Sequence, residues 1–282
     1  MDGDDPAPTS MIDRVVRVLD AFDGSAPLSL SQVVRRSGLP RSSVHRILDR
    51  LVAVRWLSRE GRDYRLGLRM LELGSLVLQQ NTLRAAALPL MRRLSASGRL
   101  GVNLAVLDGA EVVYLERIDG PMEDGLPSRV GGRAPAYCTA VGKALLAYAD
   151  DDAVREVVRD GLKARTRFTI TDPAQFVREL QRVREHGVAF EREESVRGVA
   201  CVAAAVRGPG PAVAALSVCG PARQLDFTRL SPAVQQAALR IWSATNTHPS
   251  LPYRGSDDVP VGDWPAGALD SWATWPRMTD WL

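Results

Sequence analysis

Between Met11 and Phe22 the apolar positions are Met11, Ile12, Val15, Val16, Val18, Leu19 and Phe22, the stripe of an amphipathic helix. The Asp-Gly-Ser-Ala-Pro stretch at 23–27 carries turn chemistry. Ser31 is placed to cap a second short helix over 32–37, which Gly38 closes and Pro40 keeps from continuing. A third helix follows, capped by Ser42 or Ser43. Its apolar positions Val44, Ile47, Leu48, Leu51 and Val52 obey the i, i+3, i+4, i+7, i+8 rule. Two helices joined by a tight Gly-Leu-Pro turn form a helix-turn-helix, with the second helix as reader. Residues 56–66 then read as two short strands around a glycine-containing turn, a wing.

The rest of the chain has a different rhythm. Residues 67–81 predict a further amphipathic helix with Leu68, Leu71, Leu76 and Leu78, too short for a domain and suited to a connector. A longer helix is expected over 82–97, bending around Pro89. Alternating runs at 102–107 and 111–118 flank Asp108-Gly109, a strong hairpin signal. Helices at 140–149, 151–159 and 173–186, strands near 200–206 and 212–218, and a final helix over 231–245 complete the pattern. The expected fold class is α+β. Its organisation is a disordered leader (1–10), a winged helix-turn-helix domain (11–66), a connector helix (67–81), an α+β sensor-type domain (82–249) and a tail rich in tryptophan and proline (250–282). The tail holds four of the six tryptophans and reads either as a docking arm or as an irregular segment packed on its own domain.

A length of 282 residues is more than one core needs and suits two domains with a connector. The apolar share of 45% and charged share of 24% are ordinary for a folded chain. No apolar run approaches the roughly 20 residues that cross a bilayer, and Met1-Asp-Gly-Asp-Asp-Pro lacks the features of a secretory signal. Neither a membrane partner nor export is expected. Three dispersed cysteines, Cys138, Cys201 and Cys219, make neither an even disulfide set nor a CxxC pair, which fits a reducing cytoplasm.

Charge sharpens the picture locally. Thirty-four of the 36 basic residues are arginines. Nine of them lie between Ser31 and Arg65 against three acids, a local balance of +6 and the footprint of phosphate binding. With the apolar stripe of the third helix inward, Ser42, Ser43, His45, Arg46, Asp49 and Arg50 face outward, with Arg41 just before them. Serine hydroxyls and the helix start can bond phosphate, and arginine can grip guanine with two parallel bonds. The candidate contacts to double-stranded DNA are therefore Ser31, Arg41, Ser42, Ser43, His45, Arg46, Arg50 and Arg62, with Arg35 and Arg36 also at phosphates. His45 reads either as a base contact or as a surface residue. No catalytic residues, cofactor or metal set are expected. The three histidines stand in no HExxH spacing, and neither a GxSxG elbow nor a P-loop is present.

The run Leu30-Ser-Gln-Val-Val-Arg-Arg-Ser-Gly-Leu-Pro-Arg-Ser-Ser-Val-His-Arg-Ile-Leu-Asp-Arg-Leu resembles the N-terminal domain of IclR-type bacterial transcription regulators. Further resemblances follow in the family's order: Ala136-Tyr-Cys-Thr-Ala-Val-Gly-Lys-Ala-Leu-Leu-Ala, Glu191-Arg-Glu-Glu with Gly198 and Cys201-Val-Ala-Ala, and Leu216-Ser-Val-Cys-Gly-Pro. The match covers about 11–249. It implies a GAF-like effector-binding domain, homodimers often paired into tetramers and a small organic effector; the two-fold symmetry of a dimer in turn demands a pseudo-palindromic operator. By that resemblance Glu191, Cys201, Ser217 and Cys219 occupy effector-contacting positions, Glu191 in place of an Asp and Cys219 in place of a Ser. The Gly142-Lys143 turn closes another side of the pocket. Pro135-Ala-Tyr-Cys-Thr-Ala is similar to members that sense aromatic acids of the protocatechuate type.

The residues themselves leave alternatives open. Backbone N–H groups near Thr139, Ala140 and Gly142 can receive a carboxylate, and Gly142 permits close backbone approach. Lys143 reads as a surface residue or a pocket charge. Glu191, Glu193 and Glu194 read as a solvated acidic turn or a site, and the cysteines as inert packing or contacts. Two further functions compete: a redox-sensing regulator acting through Cys201 and Cys219, and a protein-interaction module that binds no DNA.

Overall fold

The structure of the chain, a computed structural model, describes residues 10–24, 26–98, 100–120 and 128–246. Residues 1–9 of the expected leader and the whole tail 250–282 lie outside the described residues. The chain divides into two compact units between Gln80 and Asn81. Among the described residues no helix is long and apolar enough to cross a membrane.

The N-terminal unit runs α1 (Met11–Asp20), β1 (Leu28–Ser29), α2 (Leu30–Ser37), α3 (Arg41–Ala53), β2 (Leu57–Glu60), β3 (Asp63–Leu66) and α4 (Leu68–Gln80). Ser10 caps α1 through a reciprocal box with Asp13. The cap of α2 is Ser29, not Ser31. Ser29 keeps extended backbone, its side chain accepts from the Gln32 N–H, and Gln32 Oε1 accepts from the Ser29 N–H at 2.8 Å. Neither Ser42 nor Ser43 caps α3, which begins at Arg41 after Pro40 with no side-chain cap. Pro40 at φ −57° already holds the dihedral a helix start needs, and its carbonyl accepts from the Val44 N–H.

Gly38, at φ +67°, ends α2 in the left-handed region, where glycine escapes the Cβ clash. The turn lets Val33, Leu39, Val44, Ile47, Leu48 and Leu51 meet Val18, Leu57 and Tyr64 in one core. The strands order β1-β3-β2, antiparallel, with Glu60 opposite Asp63 across the Gly61-Arg62 turn. This is a winged helix-turn-helix. Helix α4 has no buried residue; Leu68, Leu71, Leu76 and Val77 are exposed.

The C-terminal unit comprises α5 (Thr82–Gly98), β4 (Gly101–Asp108), β5 (Glu111–Ile118), β6 (Arg133–Pro135), a 3-10 turn (Ala136–Cys138), α6 (Ala140–Leu146), α7 (Asp151–Asp160), α8 (Pro173–His186), β7 (Ala189–Arg192), β8 (Val199–Val206), β9 (Ala214–Pro221) and α9 (Phe227–Asn246). Six strands form one antiparallel sheet in the order β6-β5-β4-β9-β8-β7. Strand alternation divides the residues between two faces. Val102, Leu104, Val202, Val206, Leu216 and Val218 pack with Met91, Leu94 and Ile241 on the α5/α9 side. The opposite face carries small residues, Ala105, Cys201, Ala203 and Ala215, beneath α6 and α8. Large residues fill one side of the sheet, while small ones let α6 sit close and leave room for a cavity.

Three strands exceed the expected set: β1, β6 and β7, each of four residues or fewer, too short for a period-2 signal. Helix α9 starts four residues before the expected Ser231, because the Asp226 carboxylate accepts from the N–H groups of Thr228 and Arg229.

Candidate functional site

Helix α3 of the N-terminal unit presents the basic face. With Val44, Ile47, Leu48 and Leu51 buried, Arg41, Ser42, His45, Arg46, Asp49 and Arg50 are exposed and Ser43 is half-buried. Ser31, also exposed, accepts a 3.1 Å bond from Arg41 Nη1, so the start of α2 braces the start of α3. His45 Nδ1 lies 3.1 Å from Asp49 Oδ2 one turn along, which orients the ring on the surface. Arg62 is exposed at the wing tip beside Gly61. Arg36 is different: it donates to the Ala21 carbonyl at 2.8 Å and pairs with Asp23. It fastens α2 to the segment after α1 and is not a free phosphate ligand, whereas Arg35 is exposed.

In the C-terminal unit a cavity of about 40 Å³ opens on the small-residue face, room for a few water molecules. Six of the seven expected effector residues line it: Thr139, Ala140, Glu191, Cys201, Ser217 and Cys219. Gly142 does not. A Cβ there would lie 2.1 Å from the Ala136 carbonyl oxygen, and its N–H is bonded by Thr139 Oγ1 at 3.2 Å. The close approach that needs this glycine is α6 over the 3-10 turn, and its amide is occupied. Sequence reasoning missed Asn103, Tyr114, Ser128, Val141, Ser195, Val196 and Val199 in the wall. The readable signal was Asn103, an amide amid the apolar residues of β4.

Glu191 stands on β7 with Cys201 opposite on β8, and Cys201 in turn faces Cys219 on β9. The carboxyl is 2% exposed and accepts from the Ser195 N–H at 3.1 Å. Burial pushes its pKa up to about 7. The hydrogen bond to Cys219 and burial push the Cys201 thiol well above its ordinary value, and burial raises Cys138 to about 11. Asn103 Nδ2 reaches Ser217 Oγ at 3.5 Å and Cys219 Sγ at 3.4 Å. Among the described residues its Oδ1, and Ser128 Oγ, are buried without a partner.

Lys143 is not a surface residue. It is fully buried, with Nζ 2.6 Å from Glu194 Oε1 and 3.3 Å from Glu179 Oε1. Nor is the acidic turn solvated: Glu191 and Glu194 are buried, and Glu193 is half-buried with its carboxylate on the Gly198 N–H. Burial pushes the Glu194 carboxyl up against the pull of Lys143. Hydroxyls of Thr166 and Thr169 donate to the carbonyls of Glu193 and Glu194, each at 2.6 Å, tying the turn down beside the cavity.

A winged helix-turn-helix with an exposed basic reader helix, followed by an antiparallel α/β unit around a polar cavity, defines a DNA-binding transcriptional regulator. The IclR helix-turn-helix domain matches residues 11–61, and the bacterial transcriptional regulator IclR C-terminal domain matches 75–243. The chain belongs to the IclR family. It is 31% identical to the HTH-type transcriptional regulator KdgR of Escherichia coli over 88% of this chain and 97% of the relative. It is 33% identical to the Pca regulon regulatory protein of Pseudomonas putida over 76% of this chain and 75% of that protein. An IclR homologue from Microbacterium hydrocarbonoxydans, solved in complex with 4-hydroxybenzoate, is 33% identical with a TM-score of 0.77, covering 85% of this chain and 100% of that one. The KdgR and Pca relatives are regulators, and the two family models that match are regulator domains.

Proposed function

We propose that this protein is a sequence-specific regulator that grips a pseudo-palindromic operator through α3 and changes that grip when a small organic acid enters the C-terminal cavity. The observation that carries the reading is the division of α3 into an apolar face packed in the core and an outward face of Arg41, Ser42, His45, Arg46 and Arg50. Arg46 and Arg50 read base edges, while Ser31, Ser42, Ser43, Arg41 and Arg62 hold phosphates. The exposed apolar face of α4 supports a homodimer, with half-sites about 34 Å apart or a multiple, and pairing of dimers into tetramers. The effector residues are Thr139, Ala140, Glu191, Cys201, Ser217 and Cys219, joined by Asn103. The ligand in the Microbacterium relative, a hydroxylated aromatic acid, supports the ligand class. The protein acts in the cytoplasm, by binding and not by catalysis.

Effector control follows from linkage, since a ligand shifts operator affinity only by binding one arrangement of the protein more tightly. Redox control is the weaker reading. Cys201 faces Cys219, but its thiol is held protonated, and the thiolate is the reactive form.

Selection of duplexes from a random pool tests the DNA reading. The expected result is enrichment of two-fold symmetric sites, with Arg46→Ala losing about 1–3 kcal/mol of discrimination. Equal affinity of wild type for selected and scrambled duplexes would overturn it.

A further inference from the structure

The cavity poses an electrostatic problem for the ligand class proposed above, on which this inference rests. Glu191, an acid, is the only Asp, Glu, Lys, Arg or His in its wall among the described residues. Lys143 on α6 is the cation that acts on Glu191, and it is already engaged by Glu194 and Glu179; Arg165 acts on the neighbouring Cys138 but lines no part of the wall. Helix α6 is only seven residues long, and its Gly142 N–H is taken by Thr139. The other groups facing Glu191 add no positive charge: Glu194 from the following turn, Cys201 from β8 with Cys219 behind it on β9, Cys138 from the 3-10 turn and Tyr114 from β5. A carboxylate entering as a bare anion meets another carboxyl with no cation beside it in the wall, and two such groups in contact cannot both ionise. One shared proton removes the conflict.

A second observation concerns the far wall. Asn103, 3% exposed on β4, has an Oδ1 without a partner among the described residues, and Ser128, 6% exposed, has an Oγ in the same state. A buried amide oxygen accepts only, so a ligand that satisfies it must bring an O–H or N–H donor. Strands β4 and β7 are three places apart in the sheet, about 14 Å between backbones. The donor at Asn103 and the carboxylate at Glu191 therefore sit at opposite ends of the ligand.

We propose that the cavity, opening beyond its present water-sized volume, takes up a small hydroxy-substituted carboxylic acid together with one proton, the proton held between the ligand carboxylate and Glu191 and the distal hydroxyl donating to Asn103. The proton comes from solvent, and no covalent bond forms. The carboxyl of Glu191, raised to about 7 in the free protein, already carries that proton in acid solution. Binding is then independent of pH between about 5, above the range where the ligand's own carboxyl is protonated, and about 7, and weakens about tenfold per unit above that.

Calorimetric titration of the full chain with 4-hydroxybenzoate and benzoate, in buffers of differing ionisation heat, tests the proposal. At about pH 6 the expected proton uptake is near zero, and at about pH 8.5 near one per site. Benzoate binds at least about tenfold more weakly than its hydroxylated counterpart, the scale of one lost hydrogen bond to a buried group. In Glu191→Gln the uptake vanishes and affinity no longer changes with pH. If that variant does not fold, the wild-type proton count decides. Binding without uptake at the higher pH overturns the shared proton, equal affinity of the two acids overturns the hydroxyl contact, and no binding of either acid at about pH 6 overturns the ligand class. Duplex affinity measured in the same samples keeps the readings distinct. Acids that bind with a proton yet leave duplex affinity unchanged defeat effector control and leave this proposal standing.

Discussion

Glu191 links the cavity to stability even without a ligand. Its folded-state pKa of about 7 lies above the ordinary 4.5, so the folded protein holds this proton more tightly than the unfolded chain does. The stabilisation is complete below the ordinary value and disappears as pH rises to about 7, a change of up to about 3 kcal/mol. The melting temperature of wild type should therefore fall, relative to Glu191→Gln, between about pH 4.5 and about pH 7; a relative rise would contradict the burial argument. Gly142 makes a second residue-level prediction. Because a methyl there would penetrate the Ala136 carbonyl, Gly142→Ala should destabilise the C-terminal unit by about 3 kcal/mol or more in a thermal melt. Lys143 shows why single residues are hard to read in sequence. Its burial depends on Glu179 and Glu194, 36 and 51 positions away, and no local spacing records that pairing.

At the scale of elements, periodicity served long segments well and capping poorly. The apolar stripe of α3 and the Asp108-Gly109 hairpin were legible because each is a repeated local preference. The choice between Ser29 and Ser31 was not, since both precede a helical pattern and only the extended backbone of Ser29, paired as part of β1, makes it the cap. Ser29→Ala should cost about 1 kcal/mol, seen as roughly fivefold faster hydrogen exchange in α2. Ser31→Ala should leave that exchange unchanged, and equal effects of the two would restore Ser31 as the cap. Of the cavity wall, Thr139 and Ala140 were legible as a helix start, while Glu191, Cys201, Ser217 and Cys219 were legible only through the family resemblance of their motifs. Ser128 and Ser195 reach the cavity from segments with no periodic pattern.

For the whole molecule, the arginine excess predicts steep salt dependence of duplex binding. Arg62→Ala should reduce the slope of log affinity against log salt by about one. Arg36→Ala should leave the slope unchanged, because Arg36 is engaged by Ala21 and Asp23, and should instead lower the stability of the N-terminal unit. Titration of duplex binding over a range of salt concentrations checks both, and a flat wild-type response would remove the phosphate contacts.

From sequence alone came the winged helix-turn-helix, a helix within 67–81, the mixed helix and strand character of the C-terminal unit and the outward set of α3, all consequences of hydrophobic period, turn chemistry and charge carried by neighbouring residues. The tertiary structure alone decided which arginine is free, which serine caps, that Lys143 and Glu194 are buried together, and that Asn103 and Glu191 share one cavity. The physical reason is common to these cases. Burial and pairing depend on what distant segments bring to a point in space, and only the folded sheet and its packed helices bring them there.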